Sequence, residues 1–122
     1  MAKRIYLLCP VTIASPIEKL ILEEYAERLE EDGHVVHYPA RDTDQNASGF
    51  DICLTNGAAM DEADEIHLFF NSESQGSKFD LGFCFAMSFF TLRGGNKKLE
   101  IVDIGDAKGA WKNLLTKWEE LR

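Results

Sequence analysis

Asp80 is the carboxylate in this chain whose surroundings best suit chemistry. It lies within residues 71–90, a stretch that starts as a polar Ser/Gly-rich loop after the apolar run 66–70. From Phe79 onward the stretch is almost wholly apolar. A strand, a loop of small residues and a helix, in that order, is how an α/β sheet presents a binding site at the carboxyl ends of its strands. Two readings of Asp80 stay open. With Ser77 as cap, Asp80 is the far half of a capping box, an acid suited to the N-terminal dipole. Alternatively, it is a catalytic carboxylate at the mouth of a nucleotide pocket. Ser74, Gly76 and Ser77 fit a ligand-facing turn, because hydroxyls and free amides at a helix N-terminus hold an anion. Turn and cap chemistry also accounts for them without a ligand.

The other reactive side chains carry weaker patterns. Cys9, followed by Pro10, ends the first apolar run near the same place, but no cation stands beside it in sequence to activate the thiol. Cys9, Cys53 and Cys84 are odd in number and widely spaced, so they read as reduced core thiols without metal-ligand spacing. His34, His37 and His67 have no partner at metal-ligand or triad spacing and read as structural or surface residues. Neither a metal nor a cofactor is expected.

The elements that must position these groups follow from periodicity. Residues 5–9 form a continuous apolar run, as in a central parallel strand. Ser15, Pro16 and Glu18 open a helix whose stripe is Ile17, Leu20, Ile21, Tyr25 and Leu29, with Gly33 as its stop. Residues 35–38 are a second strand, and residues 39–49 read as a mobile polar loop at the edge of the site. Ser48, with Asp51 three residues on, opens a helix to about Ala63. Gly57 inside it costs about 1 kcal/mol against alanine, which points to close packing or a nearby ligand. Residues 66–70 and 99–104 are the third and fourth strands; Gly94 and Gly95 end the helix between them. Trp111, Leu114, Leu115, Trp118 and Leu121 make the stripe of a last helix.

Four strands alternating with helices predict one α/β domain over residues 1–122, a flavodoxin-like four-stranded parallel sheet in the order 2-1-3-4 with helices on both faces. That order puts the switch-point crevice between the loops 10–15 and 71–77. The helix over residues 79–90 has almost no polar side, so a second copy of the chain is expected to cover it, giving a homodimer or larger homo-oligomer. At 122 residues there is room for one core. A net charge of −8 argues against a nucleic acid polymer or an anionic membrane as partner. No stretch approaches the ~20 apolar residues needed to span a bilayer. Pro10 interrupts the weak signal-like start, so a cytoplasmic protein is expected.

Three motifs in register give this chain a family resemblance. Ile5-Tyr6-Leu7-Leu8-Cys9-Pro10, Met60-Asp61-Glu62-Ala63-Asp64, and Ser74-Gln75-Gly76-Ser77-Lys78-Phe79-Asp80-Leu81-Gly82 are similar to those of the nucleoside 2'-deoxyribosyltransferase family and its nucleoside 5'-monophosphate N-glycosidase relatives. The resemblance covers roughly residues 5–87. It implies hydrolysis or transfer at the N-glycosidic bond of a small nucleotide or deoxynucleoside. Asp80 would be the nucleophile and Tyr6 the residue that positions it, although Tyr6 also reads as a core aromatic. The ligand would be a nucleoside or nucleoside 5'-monophosphate, with Asn56 and Gly57 on the base and Ser74, Gly76 and Ser77 on a phosphate. The motif carrying Cys9 and Pro10 would border the same pocket. Two departures stand out: aspartate replaces the family's glutamate at position 80, and Asn56 replaces a carboxylate. The alternative is a nucleotide-binding module that kept the pocket and lost the chemistry.

Overall fold

The structure is a computed structural model that describes residues 2–91 and 97–122. Its order is β1 (Arg4–Leu8), α1 (Pro16–Glu31), β2 (Val35–His37), α2 (Pro39–Asp42), α3 (Gly49–Glu62), β3 (Glu65–Phe69), α4 (Gln75–Phe90), β4 (Lys98–Asp103) and α5 (Ala110–Leu121). The four strands form one parallel sheet in the order β2-β1-β3-β4, the expected flavodoxin-like arrangement. Alternation along the strands sends side chains to two separate cores. Tyr6, Leu8, Ile66, Leu68 and Leu99 pack under α3, α4 and α5 with Met60, Leu81, Leu115 and Trp118. Ile5, Leu7 and Val36 pack under α1 with Leu22 and Ala26. Each fully buried Leu or Ile there contributes about 1.5–3 kcal/mol.

The ends of the elements have local causes. Ser15 and Glu18 close a reciprocal capping box on α1, as the sequence requires. The Lys97 ammonium caps the far end of α3, donating to the carbonyls of Asp61 (2.6 Å) and Ala63 (2.7 Å). Gly105, at φ +57°, turns the chain after β4, and a Cβ there would lie 1.9 Å from the Phe70 carbonyl oxygen. Only glycine fits so close an approach.

Several sequence expectations change. The α1 stripe is turned, because the small Ala26 lets the Leu22–Ala26 side lie against the sheet; Ile17, Leu20 and Ile21 face outward while Tyr25 and Leu29 are half-buried. The segment after β2 is no free loop at its start. It folds as α2, where Asp42 accepts from the Tyr38 N–H (2.8 Å) and Arg41 bridges Asp42 and Glu30. Cys53 is exposed rather than a core thiol, while Cys9 and Cys84 are buried. The helix stop read at Gly94 and Gly95 lies outside the described residues. Among the described residues no helix is long and apolar enough to cross a membrane.

Candidate functional site

A cavity of about 560 Å³ opens where the loop after β1 meets the N-terminus of α4. Cys9, Val11 and Ile13 line one side, Ile52, Cys53 and Asn56 of α3 another, and residues 73–77 with Phe79 and Asp80 a third, with Pro39 and Gln45 at the edge of the lining. The size suits a small ligand such as a nucleoside.

Ser74, not Ser77, caps α4; its hydroxyl accepts from the Ser77 N–H (3.3 Å) and donates to Ser77 Oγ (2.8 Å). The helix therefore begins three residues earlier than the capping-box reading of Asp80 requires. Asp80 lies in the second turn, out of reach of the cap, and its carboxylate accepts instead from the Tyr6 hydroxyl at 2.8 Å. The Tyr6 ring is fully buried in the β1 core. Burial pushes the Asp80 carboxyl up to about 6, and the Tyr6 hydrogen bond offsets only part of that. Burial, with the Asp80 charge beside it, pushes the Tyr6 phenol far above its ordinary range, so it stays a donor.

Most of the sequence candidates meet here. Asp80, Asn56, Ser74, Gly76, Ser77 and Cys9 line the cavity, and Tyr6 reaches it through Asp80. Two do not. Pro10 is buried beside the lining, and Gly57 faces the Phe83 ring, whose Cζ would be 3.5 Å from a Cβ at that position. Gly57 is thus the packing alternative of the two that its place in a helix allowed. Burial and the Asp80 charge push the Cys9 thiol up to about 12, a protonated and unreactive group. Among the described residues, nothing accepts from the N–H groups of Gln75 and Gly76, the free amides of a helix start.

Sequence reading missed the residues behind Asn56. Thr43 donates to Asn56 Oδ1 (2.6 Å), and His37 Nε2 lies 2.9 Å from Thr43 Oγ1. His37 also stacks on Tyr6, its partner in the β1–β2 register, with centroids 5.4 Å apart. His67 likewise gains partners that spacing hid. It sits 2.9 Å from Glu65 and 3.2 Å from Glu100, its register partner on β4, and Tyr25 reaches its Nδ1 at 2.6 Å. Glu65, His67 and Glu100 carry ligand-type atoms within 4.8 Å of one another. Lys3 (2.5 Å from Glu65) and Lys98 (3.7 Å from Glu100) already supply the opposite charge.

Fold and cavity together define a flavodoxin-like α/β domain with a cavity at the carboxyl ends of its strands. Comparison with family models, curated proteins and solved structures finds no match.

Proposed function

We propose that this protein binds a nucleoside or nucleoside 5'-monophosphate and cleaves or transfers at its N-glycosidic bond, with Asp80 as nucleophile. The observation that carries this is the Tyr6–Asp80 hydrogen bond at 2.8 Å on the edge of the cavity, around a carboxyl pushed up to about 6. Such a carboxylate is mainly ionised at neutral pH and poorly solvated. It suits attack on an anomeric carbon as oxocarbenium character develops. The Tyr6 hydroxyl fixes the oxygen it touches and leaves Asp80 its other oxygen for the sugar. The free amides of Gln75 and Gly76, with the Ser77 hydroxyl, fit a 5'-phosphate. Among the described residues the cavity lining contains no lysine or arginine, and Glu73 and Asp80 are both acidic, so phosphate affinity rests on those dipoles.

A specific observation favours a second reading. Asn56, an amide, is no general acid, and the carboxyls among the described lining residues are the exposed Glu73 and Asp80, the proposed nucleophile, so the Asn56 wall offers the leaving base no acid. A binding module with the same ligand would need none. Incubation with a panel of nucleosides and 5'-monophosphates separates the two: free base appears if the first reading holds, and binding without release leaves the second.

The reading includes a homodimer or larger homo-oligomer. Phe79, Phe83 and Phe90 run exposed along α4 beside exposed Phe50 and Leu54 of α3, an apolar surface that a second copy would cover. It also places the protein in the cytoplasm, where its three free thiols persist.

A further inference from the structure

A chain of contacts that the proposed chemistry does not use joins Asp80 to the α3 wall of the cavity. Tyr6 holds Asp80 and stacks on His37 with the two rings 7° from parallel. His37 meets Thr43, and Thr43 donates to Asn56. A hydroxyl has one proton to give. Because Thr43 gives its proton to Asn56 Oδ1, His37 must donate to Thr43 from Nε2, which defines the Nε2–H tautomer. Burial lowers the His37 pKa below its ordinary value and favours that neutral ring.

This direction of donation fixes which end of the Asn56 amide meets a ligand. Oδ1 is taken by Thr43. Nδ2 has no acceptor among the described residues, yet it is not sealed away. The described side-chain atoms that are both sealed and unpartnered are Ser88 Oγ and Trp118 Nε1. Nδ2 is therefore at least partly open, and Asn56 lines the cavity.

We propose that Thr43 and His37 are positioning residues that present Asn56 to the ligand as a hydrogen-bond donor, so that this wall selects a base carrying an acceptor there, a carbonyl oxygen or an unprotonated ring nitrogen. The inference rests on reading the cavity as a nucleoside or nucleotide site. Without the Thr43 hydroxyl the amide loses its closest partner at Oδ1, and the preference of the wall for presenting the donor end weakens. Discrimination of this kind is strong where a site built to pair a polar group would otherwise leave it unpaired.

Calorimetric titration of wild type, Thr43→Val and Thr43→Ser tests it with two probes. One is the tightest-binding of the four common 2'-deoxynucleoside 5'-monophosphates; the other is 2-deoxyribose 5-phosphate, which has no base. Thr43→Val keeps the shape and removes the hydroxyl. It should weaken the nucleotide about tenfold and the sugar phosphate less than twofold. Thr43→Ser should restore wild-type values. Equal weakening of both probes, or no weakening of the nucleotide, overturns the inference and leaves the nucleotide site standing. Failure of both probes to bind the wild-type protein overturns the reading of the cavity and the inference with it. If Thr43→Val does not fold, nitrogen-15 NMR of the wild type decides: His37 should be the neutral Nε2–H tautomer, and the Nδ1–H tautomer overturns the proposed direction of donation.

Discussion

Asp80 and Glu65 are both withdrawn from water, on opposite faces of one sheet, and differ in what stands beside them. Glu65 is held by Lys3 at 2.5 Å and His67 at 2.9 Å. Burial alone would raise its pKa, but these two cationic or donor partners outweigh burial and hold it below the ordinary carboxylate value. Asp80 has one neutral donor, Tyr6, and burial wins. A carboxylate that the protein has matched with its own charges belongs to the structure. One that the protein has left under-compensated beside a cavity is available to a ligand.

The largest effect expected from this contrast is on turnover. Asp80→Asn keeps the shape and the Tyr6 contact, so base release should fall at least about 10³-fold while the circular dichroism spectrum is retained. Glu65→Gln should leave base release within twofold of wild type. If both variants lose activity alike, the contrast is broken.

Glu65→Gln should instead cost stability. Its pKa is depressed in the folded state, so its contribution is present above the ordinary carboxylate value and disappears as pH falls through the folded one. Because Lys3 is half-exposed, a loss of about 1–2 kcal/mol at pH 7, and almost none at pH 2, is expected in urea unfolding.

Asp80 has the opposite sign. Its pKa is raised in the folded state, so ionisation weakens the fold as pH climbs from the ordinary value through about 6. Asp80→Asn should therefore stabilise the protein by about 1–2 kcal/mol at pH 8 and leave it unchanged at pH 3. A destabilised Asn variant at pH 8 would put Asp80 in the same class as Glu65. The smallest effect is that of Tyr6→Phe. Removing the donor should push the Asp80 carboxyl above 6 and lower base release about three- to tenfold at pH 7, with recovery toward pH 8.5.

The parts of this arrangement that depend on one stretch of chain were legible in the sequence. Apolar runs and caps define the four strands and the main helices, and the strand order follows from them. The parts that depend on register were not. Tyr6 meets His37, and His67 meets Glu100, only because parallel pairing sets them side by side. Thr43 reaches Asn56 only because α2 turns the chain after β2. Periodicity showed that α1 has an apolar stripe but not which side packs; Ala26 decided that by allowing close approach. The cap of α4 was misplaced by three residues because Ser74 and Ser77 are chemically equal candidates, and only the backbone chooses between them. That small shift released Asp80 from a capping role.

The most direct test of the central claim is the pH dependence of base release by the wild-type protein from a 2'-deoxynucleoside 5'-monophosphate. With Asp80 as the ionised nucleophile, the rate should be level above pH 7 and fall tenfold per pH unit below about 6. In Asp80→Asn the inflection should vanish along with the activity. A wild-type rate that keeps its inflection in the Asn variant, or base release that is undiminished by the substitution, would contradict the account.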